Sequence, residues 1–174
     1  METLECIKTR RSIRKYKADP VPEELLEKVL EAGTWAPTGK GGQSPTIVAI
    51  TNKEQRDRLM KLNAQIMGKN MDTFYGAPVV LLVLVDKSKP TWVNDGDLVI
   101  ENMLLAAHDL GLAACYIWRA RQEVESEEGK QMLAEWGLPA DVDFAGVGHV
   151  ILGYADMEPA EPAPRKENYV YYVK

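Results

Sequence analysis

A chain of 174 residues, 45% hydrophobic and 27% charged, suits one domain with a real core and needs no staples to hold it. Its net charge of −5 argues against general nucleic-acid affinity, and no apolar run reaches the roughly 18 residues of a spanning helix. Two cysteines, Cys6 and Cys115, make no disulfide framework, and no export signal opens the chain, so the expected location is cytoplasmic.

The first marked feature is Lys8–Lys17 (KTRRSIRKYK), six cations in ten residues, which leaves fifteen basic against twenty-six acidic side chains elsewhere. Such crowding has a Coulomb cost unless an anion neutralises it. The planar fork of arginine suits phosphate oxygens, and Ser12 adds a hydroxyl donor. A solvated helix face is the plain alternative, and a nucleic-acid patch is disfavoured because the rest of the chain is acidic. Val21–Gly33 reads as a helix: Pro22 suits the first position, Glu23 and Glu24 suit the positive end, and Gly33 can close it in a left-handed conformation.

Gly33–Ser44 (GTWAPTGKGGQS) places a Lys among glycines without being a triphosphate cradle. Gly41 follows Lys40 where a hydroxyl residue is required, and a helix precedes while a strand follows, the reverse of that motif's setting. Thr46–Thr51 is a short β-branched strand, and Asn52 caps a helix over Lys53–Met67. Pro78–Asp86 (PVVLLVLVD) is apolar on both alternate faces, which predicts a central strand covered on both sides.

A helix over Asp95–Asp109 is apolar around nearly its whole circumference, so it needs burial at the domain centre or in a subunit interface. Leu112–Trp118 is a strand, Ser126 caps a helix ending at Trp136-Gly137, and Gly146–Tyr154 is a further strand. The Pro-rich Asp156–Arg165 is extended and carries a second basic site, Arg165-Lys166. It leads into Tyr169–Val173, whose strand composition needs a sheet edge on its own subunit or another. His108 and His149 have no neighbouring ligand, so no metal site is expected. No G-x-G-x-x-G follows a strand, which leaves a three-layer α+β domain rather than a dinucleotide fold.

Taken in order, Thr9–Tyr16 (TRRSIRKY), Ala36–Gly39 (APTG), Gln43–Pro45, Tyr75–Pro78 (YGAP), Gly148–Tyr154 (GHVILGY) and Pro164–Lys166 resemble the nitroreductase family of FMN flavoproteins over essentially the whole chain. The resemblance implies an α+β three-layer sandwich with a central, mostly antiparallel sheet flanked by helices. It also implies an intertwined homodimer with C-terminal strand exchange, and FMN in the interface. Residues 1–154 would form the FMN-binding domain, and 155–174 an arm completing the domain, on the partner subunit.

By the same resemblance, Arg10 and Ser12 look like ligands of the FMN phosphate and ribityl chain, with Arg11 contributing backbone. Arg14 looks like the cation near the N1/O2 edge of the flavin. Asn70 matches a position touching the ring, and Arg165 and Lys166 resemble C-terminal phosphate ligands. Tyr116, Ile117 and the backbone at Trp118-Arg119 resemble the segment that packs on the flavin and donates toward N5; Gly148 belongs to the same set. The glycine loop, with Pro37, Thr38 and Gln43, resembles one that passes the ribityl chain and ring from the partner. Gly41 stands where many family members carry Asn, which removes one possible hydrogen bond to the cofactor.

The implied activity is hydride transfer from NADH or NADPH through flavin N5 to a nitroaromatic or quinone acceptor, in ping-pong fashion, with no catalytic side chain required. Trp92 and the loop Asp72–Tyr75 are candidate walls of the acceptor slot. A specialised flavin reductase or dehalogenase on the same scaffold and a non-catalytic FMN-binding protein are the competing readings.

Overall fold

The computed structural model describes all residues 1–174. In chain order the elements are α1 (Thr3–Thr9), α2 (Glu23–Thr34), β1 (Pro45–Ile50), α3 (Lys53–Met67), β2 (Val79–Asp86), α4 (Trp92–Asp109), β3 (Ala113–Ile117), α5 (Ala120–Glu125), α6 (Glu127–Glu135) and β4 (Phe144–Gly153). The four strands form one antiparallel sheet in the order β1-β2-β4-β3. Strand β2 dictates the layering. Its Val80, Leu82 and Leu84 join one core with Leu59 and Leu62 of α3, Val124 of α5 and Met132 of α6. Its Val79, Leu81, Val83 and Val85 join a second core with Leu26 and Val29 of α2 and Val99, Ile100 and Met103 of α4. A strand with no polar face is stable only when both faces are covered, so the α+β three-layer sandwich follows from the sequence of β2.

The register of β2 on β4 shifts between Val83 and Leu84, which face Gly148 and Gly146, so Val147 is the extra residue of a β-bulge. The bulge reaches the last strand pair close to the end of β3.

The caps follow local chemistry. Asn52 accepts from Gln55 N and Ser126 from Gly129 N, each fixing a helix start. Gly33 does not end α2; the helix continues to Thr34, and a Cβ at Gly33 would lie 2.8 Å from Ile47 and 2.9 Å from Met103. The glycine is there because α2 closes tightly on β1 and α4. Helix α4 begins at Trp92, one turn before the predicted Asp95, whose N–H donates to Thr91 O in the first helical turn. Val93 and Leu98 on α4 stay exposed, so one chain does not cover this helix completely. Tyr169–Val173 forms no strand within the chain, and its side chains are exposed. No helix is long and apolar enough to cross a membrane.

The α5–α6 junction is the tightest point. A Cβ on Gly129 would sit 1.8 Å from the Glu123 carbonyl oxygen. Gly129→Ala is expected to lower the unfolding free energy by about 2–3 kcal/mol, the upper range for forced overpacking, read as a fall in the denaturant midpoint at unchanged slope.

Candidate functional site

After α1 the chain straightens and runs along the outer edge of β3. Ser12 pairs with Ala114 in a parallel bridge, and Ile13 N donates to Ala114 O at 3.2 Å. Along it Ile13 and Tyr16 are buried, and Arg14 is exposed. At the start of this segment Arg10 and Arg11 line a cavity of about 160 Å³ with Thr9, His108 and Gly111. The Arg11 guanidinium turns back: its Nη1 donates to the carbonyls of Lys8 and Arg10, both at 2.7 Å. Two buried guanidinium nitrogens, Arg10 Nη1 and Arg11 Nε, have no hydrogen-bond partner. Buried donors are almost always satisfied, and unpartnered guanidinium N–H groups are suited to anionic oxygens. The Thr9 hydroxyl donates to Glu5 O at 2.7 Å and faces His108 Nε2 at 2.8 Å. Burial, then the charges of Arg10 and Arg11, hold the His108 imidazole below its usual range; the two guanidinium groups make the lining of the cavity electropositive.

The glycine loop is a second unit. Thr38 and Gln43 line a cavity of about 320 Å³ with Leu30, Ala36, Ile47 and Val99. Gln43 N donates to Thr38 Oγ1 at 3.0 Å, and Pro37 is exposed just before. Lys40, Gly41 and Gln43 all have positive φ, at 55°, 65° and 45°. For the two non-glycine residues this is strained and must be imposed from outside. The restraint is Asp95. Its Oδ1 accepts from Gly39 N at 3.0 Å, and its Oδ2 accepts from the hydroxyls of Ser44 at 3.2 Å and Thr91 at 3.1 Å.

The end of β3 makes a third unit. Tyr116 and Trp118 line a cavity of about 530 Å³ with Trp92, Asp97 and Arg121. Arg121 lies over the Trp92 ring at 5.8 Å and Arg119 over the exposed Trp118 ring at 5.4 Å. The Tyr116 hydroxyl donates to Val147 O at 3.0 Å, and its ring fills the space a Cβ on Gly148 would take, 2.5 Å from Cζ. Gly148 therefore serves Tyr116. Ile117 points the other way into the core, so any ligand contact it makes is through backbone.

No lining residue is common to the three cavities. Asn70 is exposed on the loop after α3, apart from all of them. Within one chain Arg165 and Lys166 do not reach the Arg10 cavity: Arg165 Nη2 donates to Ala163 O at 2.7 Å, and Lys166 lies over the Tyr169 ring at 5.1 Å.

The profile of the nitroreductase family matches residues 7–154, most of the chain. The chain belongs to the nitroreductase family. A protein of Methanothermobacter thermautotrophicus named NADH dehydrogenase/NAD(P)H nitroreductase is 37% identical over 165 residues, covering 91% of this chain and 80% of that protein. A nitroreductase with bound FMN from Bacteroides fragilis superposes with a TM-score of 0.88 at 28% identity, covering all of both chains. Another with bound FMN, from Desulfitobacterium hafniense, gives a TM-score of 0.87 at 25% identity, also over the full length of both.

For this nitroreductase, sequence reasoning did not find Asp95, His108 or the buried set Asn63, Glu123 and His149. Asp95 gave no distinguishing signal: Asp97, Glu101 and Asp109 share its helix, and only the structure shows that Asp95 alone of these acids is buried. Asp95→Ala is expected to cost about 1.5–3 kcal/mol, the worth of hydrogen bonds to a charged acceptor. Amide exchange at Gly39–Ser44 should accelerate more than exchange in β2, which hydrogen–deuterium exchange resolves.

Proposed function

We propose that this chain is an FMN-dependent NAD(P)H oxidoreductase that passes hydride from NADH or NADPH to nitroaromatic or quinone-type acceptors by a ping-pong mechanism. The observation that carries this is the pair of unpartnered, buried guanidinium nitrogens of Arg10 and Arg11 at an electropositive cavity. That cavity is smaller than the roughly 300–1,000 Å³ enclosing a whole small ligand, so it holds one charged end of it. A phosphomonoester fits.

Bound FMN would supply two-electron chemistry at its N5. The protein's part is binding, orientation and electrostatics. Arg10 and the Ser12 hydroxyl hold the phosphate and ribityl chain, and Arg165 and Lys166 add cations as the tail docks. Arg14, further along the same extended segment, would supply a positive charge to the flavin ring, which gains negative charge on reduction. The backbone at Trp118-Arg119 would face the ring, and the loop bearing Thr38 and Gln43 would approach it from the partner subunit. Trp92 and Trp118 wall the slot in which nicotinamide and acceptor alternate.

An intertwined homodimer would let one ligand draw on separate cavities from two copies of the chain. Exposed Leu4, Ile7, Val93 and Leu98 supply apolar surface for it. The outer edge of β1 is unpaired, and the exposed Tyr169–Val173 has a composition that suits pairing with such an edge. Both cysteines are free and buried, in keeping with the cytoplasm.

The purified protein is expected to be yellow and to oxidise NADH or NADPH when a nitroaromatic or quinone is added. Arg10→Ala should raise the FMN Kd at least about tenfold, as loss of a charge-assisted hydrogen bond implies. Lys53→Ala, which removes an exposed lysine paired only with Asp57, should leave it unchanged. A colourless protein that ignores added FMN overturns the reading; FMN binding without turnover by either nicotinamide leaves a non-catalytic flavin carrier.

A further inference from the structure

Behind the end of β3 lies a polar cluster inside the core. His149 of β4 and Asn63 of α3 are 0% exposed, and Glu123 of α5 is 1% exposed. His149 Nδ1 faces Ile117 O at 3.1 Å, and His149 Nε2 faces Glu123 Oε2 at 2.7 Å. The Asn63 amide donates to Trp118 O at 3.0 Å and also to Glu123 Oε1. A carbonyl oxygen only accepts, so Nδ1 carries a hydrogen. At 2.7 Å a bare Nε2 lone pair would confront a carboxylate lone pair, so one proton sits between the two groups. Burying such groups is often no better for stability than packing apolar side chains of the same volume. Their common partner is the backbone of Ile117 and Trp118.

Both of those carbonyls are drawn inward. No peptide bond in the chain is cis, and across a trans peptide the carbonyl and the following N–H point in opposite directions. The N–H groups of Trp118 and Arg119 therefore face away from the cluster. Neither donates to a backbone acceptor in the chain. Arg119 has φ 85°, a conformation that a residue with a side chain holds only when its surroundings impose it.

We propose that Asn63, Glu123 and His149 are positioning residues. By clamping the Ile117 and Trp118 carbonyls they hold the Trp118 and Arg119 N–H groups outward as a preformed pair of donors for the flavin ring. The idea rests on the FMN reading above. Donors fixed before reaction stabilise developing charge without reorganising, and the groups that hold them matter as much as the donors.

The test uses the FMN-loaded protein and four variants: Asn63→Leu, Asn63→Ala, Glu123→Ala and Glu123→Gln. The readouts are the FMN Kd, the shape of the flavin's visible absorption band, and the rate of flavin reduction by NADH and NADPH in stopped flow. Asn63→Leu, Asn63→Ala and Glu123→Ala are expected to alter the band and slow reduction about tenfold, the effect of one lost hydrogen bond of ordinary strength. The FMN Kd should hardly move, because the phosphate clasp is untouched. In Glu123→Gln the side-chain amide can donate to His149 Nε2 and accept from Asn63, so band and rate should return toward wild type. If Glu123→Ala does not fold, Asn63→Leu, which keeps the core filled, and Glu123→Gln carry the comparison. Folded Asn63 variants with wild-type band and rate overturn the proposal, as does a Glu123→Gln variant that differs from wild type as much as Asn63→Leu does. A wild-type protein that binds no FMN overturns the cofactor reading itself, and this proposal with it.

Discussion

The structure depends on one strand that has no polar face. Because β2 is apolar on alternate and intervening residues alike, water must be excluded from both sides of the sheet, and helices have to supply two covers. Once α2 and α4 take one side and α3, α5 and α6 the other, little of the sheet is left to carry polar groups except its edges and strand ends. The candidate site is built there. The basic N-terminal segment lies along the edge of β3, the glycine loop lies before the edge strand β1, and the aromatic cavity lies where β3 runs out. The architecture thus gathers cations, strained backbone and exposed aromatics at the margin of a dry and rigid centre.

Legibility from sequence followed the range of the interaction. β2 was readable because two-sided burial writes itself as an unbroken apolar run, and the caps Asn52 and Ser126 were readable because their partners lie three residues away. The cationic cluster announced itself by charge. Other features rest on contacts that span the chain. Gly33 reads as a helix terminator until Met103 is seen against it, and Asp95 reads as a helix start until Gly39 and Ser44 are seen on its carboxylate. Asn63, Glu123 and His149 come from three elements, and no spacing joins them. Helix α5 is only six residues long, too short to show a period. Ile117 is grouped with Tyr116 through the family resemblance of their segment, although adjacent residues of a strand face opposite sides and Ile117 enters the core.

Strain marks the same places. Lys40, Gln43 and Arg119 have positive φ without being glycine, and each stands in a segment with a part in the proposed chemistry. In both segments the fold supplies a buried polar anchor next to the strained residue: Asp95 for the glycine loop, and the His149–Glu123–Asn63 set for the turn after β3. A scaffold that must present backbone groups to a ligand cannot leave them in the conformation the chain prefers by itself.

The fit of the Tyr116 ring over Gly148 has an evolutionary consequence. Volume absent at one position and present at the other forms a single lock, so neither residue is free to drift alone. Across descendants of this chain, bulk arriving at position 148 should coincide with a smaller side chain at 116, and the two sites should exchange size as a pair.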